Sequence, residues 1–472
     1  MTHSSTLRNL ALVSLLAPAF YSGAQTQPIA AENLPQVWSQ ADSYSQEFPT
    51  DDNWWHNFND PVLDSLLARG ESNNFDLRRA ASRIEMARQN LRSVRSGYYP
   101  TVGVSAGWQK ARSSGVTTSA SGTASVNDYF SATADMSWEI DVFGRIRAKS
   151  RQAGEALRGS RAEYASVSVS ICAEIASDYM QLRTLQHQLE VTQAHVAEQE
   201  KVLKIAEARF EASLASMLDV SQARTIYYST KASLTSLQTS IASTINSIAV
   251  LTGCYPAEIA PMLSAPTPQP EFSGSIAAGL PADLLRRRPD IVEAEAAVAH
   301  QAAALGIAKK DYLPTLYLNG SIGSSAHKFD KLMTSPSFTY SIAPTLSWTI
   351  FDGFARRAEV ASAKAAMMES IDAYNQTLIT AVQEVENAMT AYQNALRYEN
   401  EMSEVVVNAR KAFDLSLDRY KQGLDSFINV ANSQITLLQY SNELVAARGN
   451  TLTAAVNLYK ALGGGWENST IQ

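Results

Sequence analysis

Few residues in this 472-residue chain have the types and spacing that chemistry requires. His187 and His195 lie eight positions apart, which on a helix is roughly 80° of rotation and does not make a metal pair. Six histidines and two cysteines leave little material for zinc or redox chemistry. Arg286-Arg287-Arg288 has the charge to hold an anion, but Asp283 and Asp290 flank it, and such a run at a helix start usually finds carboxylates. Trp54-Trp55 reads as core packing rather than a ligand platform. No Ser-His-Asp spacing or paired-carboxylate motif stands out. The chain is therefore read as a non-enzyme with no cofactor and no metal.

Composition narrows the class. A net charge of −7 argues against a dedicated nucleic-acid binder. Charged residues make up 18%, too few for an acidic disordered protein. After residue 24 no stretch reaches the ~18 apolar residues of a membrane-spanning helix, which leaves β-barrels open because barrel strands are only weakly hydrophobic. Residues 1–24 read as a secretory signal peptide: Arg8, an apolar run from Leu10 to Phe20, and Ser22-Gly23-Ala24 with cleavage after Ala24.

The elements that must position any functional residue come in two copies. Asp76 to Pro100 and Asp290 to Pro314 are equal 24-residue steps closing at Tyr98-Tyr99-Pro100 and Tyr312-Leu313-Pro314. Trp138 matches Trp348, Arg209-Phe210 matches Arg419-Tyr420, Leu214 matches Leu424 and Gly253 matches Gly463, all at an offset of 210. The organisation is an N-terminal segment at 25–61, a first repeat at 62–254 with a hairpin at 100–141, a connector at 255–275, a second repeat at 276–463 with a hairpin at 314–351, and a tail at 464–472. Five prolines from Pro256 to Pro270 predict an extended connector rather than a packed element.

Neither glycine nor proline occurs from Ser160 to Thr252 or from Phe354 to Gln422, so both stretches read as very long helices. Ile175, Leu182, Leu189, Val196, Leu203 and Phe210 recur every seven residues, the signature of lengthwise helix packing. A helix from Arg145 to about Ser213 is on the order of 100 Å long. The expected shorter helices, Ala282 to Lys309 and Asp425 to Leu462, sum to nearly the length of Ala355 to Lys421, so two of them stacked end to end fit beside one long one.

Between the helices the period is two. Val102, Val104, Ala106 and Trp108 alternate with small and polar residues, as do Phe130 to Ile140, Leu316 to Ile322 and Phe338 to Ile350, with loops expected at 111–127 and 323–336. Such strands suit a bilayer crossing with one apolar and one polar face. Four strands cannot close, so the barrel must be assembled from several copies, and twelve strands leave a channel where eight would be filled.

These features resemble the TolC-like outer-membrane factors, in the subgroup serving resistance-nodulation-division pumps. Leu280-Pro281-Ala282-Asp283-Leu284-Leu285-Arg286-Arg287-Arg288-Pro289-Asp290-Ile291 is close to that family's "LPSDLLxRRPDI" signature. Glu139 to Arg147 resembles its strand-to-helix "DLFGRxR" junction, and Arg419-Tyr420-x-x-Gly423 resembles its tip motif. The resemblance implies a mixed α and β fold: a homotrimer whose twelve-stranded transmembrane barrel continues into a long periplasmic helical barrel. It also implies a passive exit duct for small toxic compounds in the outer membrane, partnered by a periplasmic adaptor, an inner-membrane pump and outer-membrane lipid. A type I protein secretion channel shares the fold, and a periplasmic adaptor is the remaining alternative. Many members carry a lipid-modified cysteine where Ala24 stands here, so no lipid anchor is expected.

The resemblance also singles out the tip. The long helices reverse near Ser213-Leu214 and near Gly423-Leu424-Asp425. Leu214 and Leu424 are the expected adaptor contacts. Asp425 is expected to begin the return helix and, in three copies, to form a cation-binding gate whose crowding raises its pKa. Cys172 and Cys254 lie equally far from Ser213, so a disulfide and two free thiols are both open.

Overall fold

In a computed structural model the described residues are 27–29, 34–39, 44, 53–114, 124–265, 267–272, 276–279, 281–283 and 287–464. The signal peptide, including Ala24, and the tail beyond residue 464 lie outside them. The chain runs α1 (Pro61–Asn73), α2 (Phe75–Ser96), β1 (Thr101–Ser113), β2 (Ser125–Ile140), α3 (Arg145–Glu211), α4 (Met217–Leu251), α5 (Pro256–Leu263), α6 (Pro289–Lys310), β3 (Thr315–Ala326), β4 (Phe338–Ser347), α7 (Ala355–Lys421) and α8 (Phe427–Ala461).

The two long helices form where the breaker-free runs require them, and each has 67 residues. The short helices differ from expectation at their starts. Residues Pro281–Asp283 make a 3-10 turn, and α6 begins only at Pro289, because proline at the first helical position loses no hydrogen bond and keeps its predecessor out of the helix. Ser426, not Asp425, caps α8. With these starts the repeat is strict: α2 and α6 have 22 residues each, α4 and α8 have 35 each.

Each short pair stacks end to end. Asn74 accepts from the amides of Asp76 and Leu77 at 2.8 and 3.1 Å, capping α2, and donates to the Leu251 carbonyl at the end of α4 at 2.8 Å. In the second repeat Arg288 does the joining, donating to the Ala461 carbonyl at 3.2 Å while gripping Asp290 at 2.7 Å and Glu384 at 2.6 Å. The joints are close. Gly253 and Gly463 have φ of 66° and 73°, and a Cβ on either would press the backbone of Asn73 or Arg287. α2 and α4 pack on α3, while α6 and α8 pack on both α3 and α7, giving a wall of helices.

One core occupies the middle of this wall. Trp54 is buried and stacks on Tyr459 at 5.1 Å, as packing predicts. The proline-rich connector departs from expectation: Pro256–Leu263 is a helix, and Ile259 and Leu263 are fully buried. Pro256 at its start is helix-compatible, and burying two large side chains outweighs the bond lost at Pro261. The N-terminal segment lies along α7, with the Ile29 amide on Asn375, the Tyr44 hydroxyl on the Met389 carbonyl and the Trp38 indole on the Gly279 carbonyl. A second core, around Phe413, Tyr420 and Phe427, fills the lower end.

The strands form one antiparallel sheet in the order β1-β2-β3-β4, so β2–β3 pairing joins the two repeats. β1, β2 and β3 extend into the segments expected as loops, because antiparallel ladders continue regardless of side-chain polarity. β4 stops at Ser347, before Trp348 and Ile350. The Trp348 indole instead donates to the Tyr312 carbonyl at 3.0 Å, as Trp138 does to Tyr98 at 3.1 Å.

Opposed residues share a face, so the register sorts the sheet. One face carries Val102-Met136-Gly320-Ile342, Val104-Ala134-Ile322-Tyr340 and Trp108-Phe130. The other carries polar pairs such as Ser105–Thr133 at 2.8 Å and Ser137–Asn319 at 2.9 Å. Along β2 the apolar face runs from Phe130 to Ile140. Those ten steps measure about 33 Å, which a tilt of ~40° reduces to roughly the 25 Å apolar band of a transmembrane barrel.

Both cysteines are free, Cys172 buried and Cys254 partly exposed. Burial and the Glu71 carboxylate push the Cys172 thiol up to about 12. Alkylation of the folded protein should therefore modify Cys254 alone, with Cys172 reacting after denaturation; mass spectrometry of intact protein distinguishes this from a bridge, which would leave neither reactive. For the sheet, Arg in place of lipid-facing Met136 should cost roughly 2–4 kcal/mol and lower the yield of folded assembly, while Arg at the adjacent Ser137 is tolerated. Equal yields would refute the face assignment.

Candidate functional site

The tip is built from one device used twice. The chain leaves α3 with Ser213 N–H donating to the Phe210 carbonyl (2.9 Å) and Leu214 N–H to Arg209 (2.8 Å). It leaves α7 with Gly423 N–H on Tyr420 (2.9 Å) and Leu424 N–H on Arg419 (2.9 Å). Both are Schellman ends, which need a left-handed residue after the last turn. Gly423 adopts φ of 75° at little cost, whereas Ser213 is held at 59°. The device leaves Leu214 and Leu424 on the outside, 66% and 64% exposed.

Asp425 sits one residue ahead of the α8 cap. Its carboxylate accepts from the Ser426 amide at 2.8 Å, the Asn429 side chain at 2.7 Å and the Arg419 guanidinium at 3.3 Å. The Asn429 and Ser426 hydrogen bonds, then Arg419, hold it below the ordinary carboxylate range. Within one protomer this is opposite to the raised pKa expected from crowding: its neighbours are donors rather than other carboxylates.

Three residues that sequence reasoning did not assign tie the turns together. Arg209 reaches from α3 to the Lys421 carbonyl at 2.8 Å and lies over the Tyr420 ring at 4.8 Å. Tyr420 is buried, packs on Phe427 and donates its hydroxyl to Asp219 of α4 at 3.3 Å. Burial and the Asp219 charge raise its pKa. The repeat landmark Arg209-Phe210 against Arg419-Tyr420 carried a signal for this, since only the buried copy has a hydroxyl to offer. It does not reveal that Arg209 crosses between hairpins while Arg419 stays on its own turn. The contacts are polar, non-covalent and mostly exposed, so the arrangement can hold two hairpin ends together and release them. His187 and His195 lie on α3 far from the tip turns, and among the described residues no cluster of His, Cys, Asp and Glu could hold a metal.

A profile described as outer membrane efflux protein matches residues 66–254 and 280–464. The chain belongs to the outer membrane efflux protein family. The antibiotic efflux pump outer membrane protein ArpC of Pseudomonas putida is 30% identical to it, over 98% of this chain and 97% of that protein. The solvent efflux pump outer membrane protein SrpC, also of Pseudomonas putida, is 32% identical over 87% of each. Among solved structures, the outer-membrane channel OprN superposes with a TM-score of 0.86 at 27% identity, covering 96% of this chain and 99% of that one. VceC of Vibrio cholerae gives 0.83 at 27% identity, over 89% of this chain and all of the other. In this family the sheet is the outer-membrane portion, the helices are its periplasmic extension, and the role is transport.

Ser213 is the one tip position where local chemistry works against the turn. Ser213→Gly should stabilise the protein by about 1 kcal/mol, read as a higher melting temperature, while Gly423→Ser should lower it by a similar amount.

Proposed function

We propose that the chain works as a homotrimer, the exit duct of a tripartite efflux pump. β1 of each copy pairs with β4 of the next, closing twelve strands around an open lumen. A periplasmic adaptor grips the tips through Leu214 and Leu424, and an inner-membrane pump delivers small toxic compounds into the tunnel. The observation that carries this reading is the pair of open ladder edges, β1 and β4, on a sheet whose apolar face spans a bilayer. Open edges cannot remain in hydrocarbon, and only the larger closed assembly leaves a channel. The relatives' names, antibiotic and solvent efflux components, favour small compounds over secreted protein as cargo.

At the tip, Asp425 is read as the gate residue, three copies converging on the axis to favour cations and repel anions. Ser213 and Gly423 provide the turns, and the Arg209 link to Lys421 keeps the hairpins together at rest. Asp425 has a depressed pKa, so its contribution to closure is present at neutral pH and is lost as pH falls through that lowered value.

Heat-modifiable trimers on gels, with outer-membrane fractionation, test the assembly; a soluble monomer would overturn it. In planar bilayers Asp425→Ala should raise conductance and weaken block by divalent cations, and wild-type conductance should rise only in acid. Unchanged conductance and block would leave Asp425 with its local hydrogen bonds alone.

A further inference from the structure

The bilayer-facing wall of the sheet carries a groove. In the rows Val104-Ala134-Ile322 and Ala106-Ala132-Ser324-Phe338 the side chains are small at Ala106 on β1 and at Ala132 and Ala134 on β2, with the larger Ile322 and Phe338 beside them on β3 and β4. The β3–β4 segment folds back over this wall. The Met333 amide donates to the Ser324 hydroxyl at 3.0 Å, and Ser324 and Ser337 share a hydrogen bond of 2.7 Å, leaving Ser324 only 3% exposed. The segment and the wall together line an open cleft of about 520 Å³, with Met333 among the lining side chains.

Above the groove the same face changes character twice. Trp108 stacks on Phe130 and Phe329 packs edge-on against it, an aromatic row of the kind found at a membrane interface. Lys110 and Arg112 follow on the same face of β1, and Lys328 and Lys331 project from the folded segment. Two carboxylates oppose these four cations, Asp128 at 3.8 Å from Lys110 and Asp330 at 3.9 Å from Lys331, both long and exposed pairs that offset little charge. Ala106 and Lys110 are four residues apart, about 13 Å along the strand, the separation of an upper acyl segment from its phosphate.

We propose that this wall is a binding site for a phosphate-bearing, multiply acylated lipid of the outer leaflet, one per chain. An acyl chain fills the groove over Ala106, Ala132 and Ala134, and the phosphate sits on Lys110 and Arg112. A groove open to hydrocarbon cannot stay empty without losing van der Waals contact on both sides. A flexible chain can fill it, and the cations above select an anionic head. All of these residues lie on one chain, so the site is independent of what the channel carries.

The test is native mass spectrometry of the assembled protein in mild detergent, incubated with diphosphorylated lipid A or with the same lipid stripped of phosphate. Wild type should retain up to one diphosphorylated lipid per chain and roughly tenfold less of the stripped form. Lys110→Gln with Arg112→Gln, at the water-exposed rim, should lower retention about tenfold and remove the preference for phosphate. Ala132→Leu with Ala134→Leu should fill the groove and lower retention of both lipids. Equal retention of the two lipids by wild type, or retention unaffected by the rim pair, would overturn the proposal. If the leucine pair does not assemble, the rim pair and the stripped lipid decide alone.

Discussion

A backbone amide left unpaired in hydrocarbon costs several kcal/mol, and that cost governs how this sheet can exist. Three of the ladders β1-β2-β3-β4 could make are satisfied within the chain, and the middle one joins the two repeats rather than closing either hairpin. The duplication therefore yields one continuous four-stranded unit with an edge at each end. Because opposed residues share a face, the same register that pairs the backbone collects Met136, Ala134 and Ile322 toward lipid and Ser137, Thr133 and Asn319 toward the other side. Pairing and partition are thus one constraint, and a slip of a single residue would reverse every side chain.

The helical portion solves a different problem with the same duplication. A helix of 67 residues needs apolar cover along its whole length, and no single antiparallel partner returns that far. The chain instead stacks a 22-residue helix on a 35-residue one and joins them end to end. Abutted helix ends leave carbonyls without partners, and each joint supplies a side-chain donor: Asn74 for Leu251, Arg288 for Ala461. The repeats share the geometry and differ in the chemistry. Arg288 also binds Asp290 and Glu384, the kind of carboxylate partners expected of an arginine at this helix start.

Long-range regularity was legible in the sequence and local exceptions were not. Breaker-free runs and offsets of 210 locate both long helices and both turns, because those signals repeat over tens of residues, and a period of two locates all four strands. The errors fell at prolines and at polar strand ends. Pro256 and Pro289 begin helices, which a rule treating proline as a breaker misses, and β1 to β3 outrun the hydrophobic alternation because ladder bonds do not depend on it. At the tip the turns were visible through Gly423 and its repeat-mate Ser213. The ties between them were not. Arg209 and Arg419 are equivalents by sequence but make different contacts, and the choice depends on which hairpin end each one faces.

That division between regular scaffold and local exception continues inside the helical wall. The middle core and the tip core are separate clusters. Between them α3 buries Thr192, His195 and Gln199, and both Gln199 amide atoms and His195 Nδ1 find no hydrogen-bond partner there. Burial lowers the His195 pKa, opposed by Glu198 and assisted by Arg410, so the imidazole stays neutral where an unfolded chain would take up a proton. Folding stability therefore falls as pH drops below the ordinary imidazole range near 6.5. A layer with unpaired buried polar atoms opens at lower free energy than the apolar cores on either side. The contacts that hold the tip, from Arg209 to Lys421 and from Tyr420 to Asp219, thus belong to a unit whose packing is separate from the joints at Asn74 and Arg288. The sequence makes that separation by interrupting an apolar seam with Thr192, His195 and Gln199.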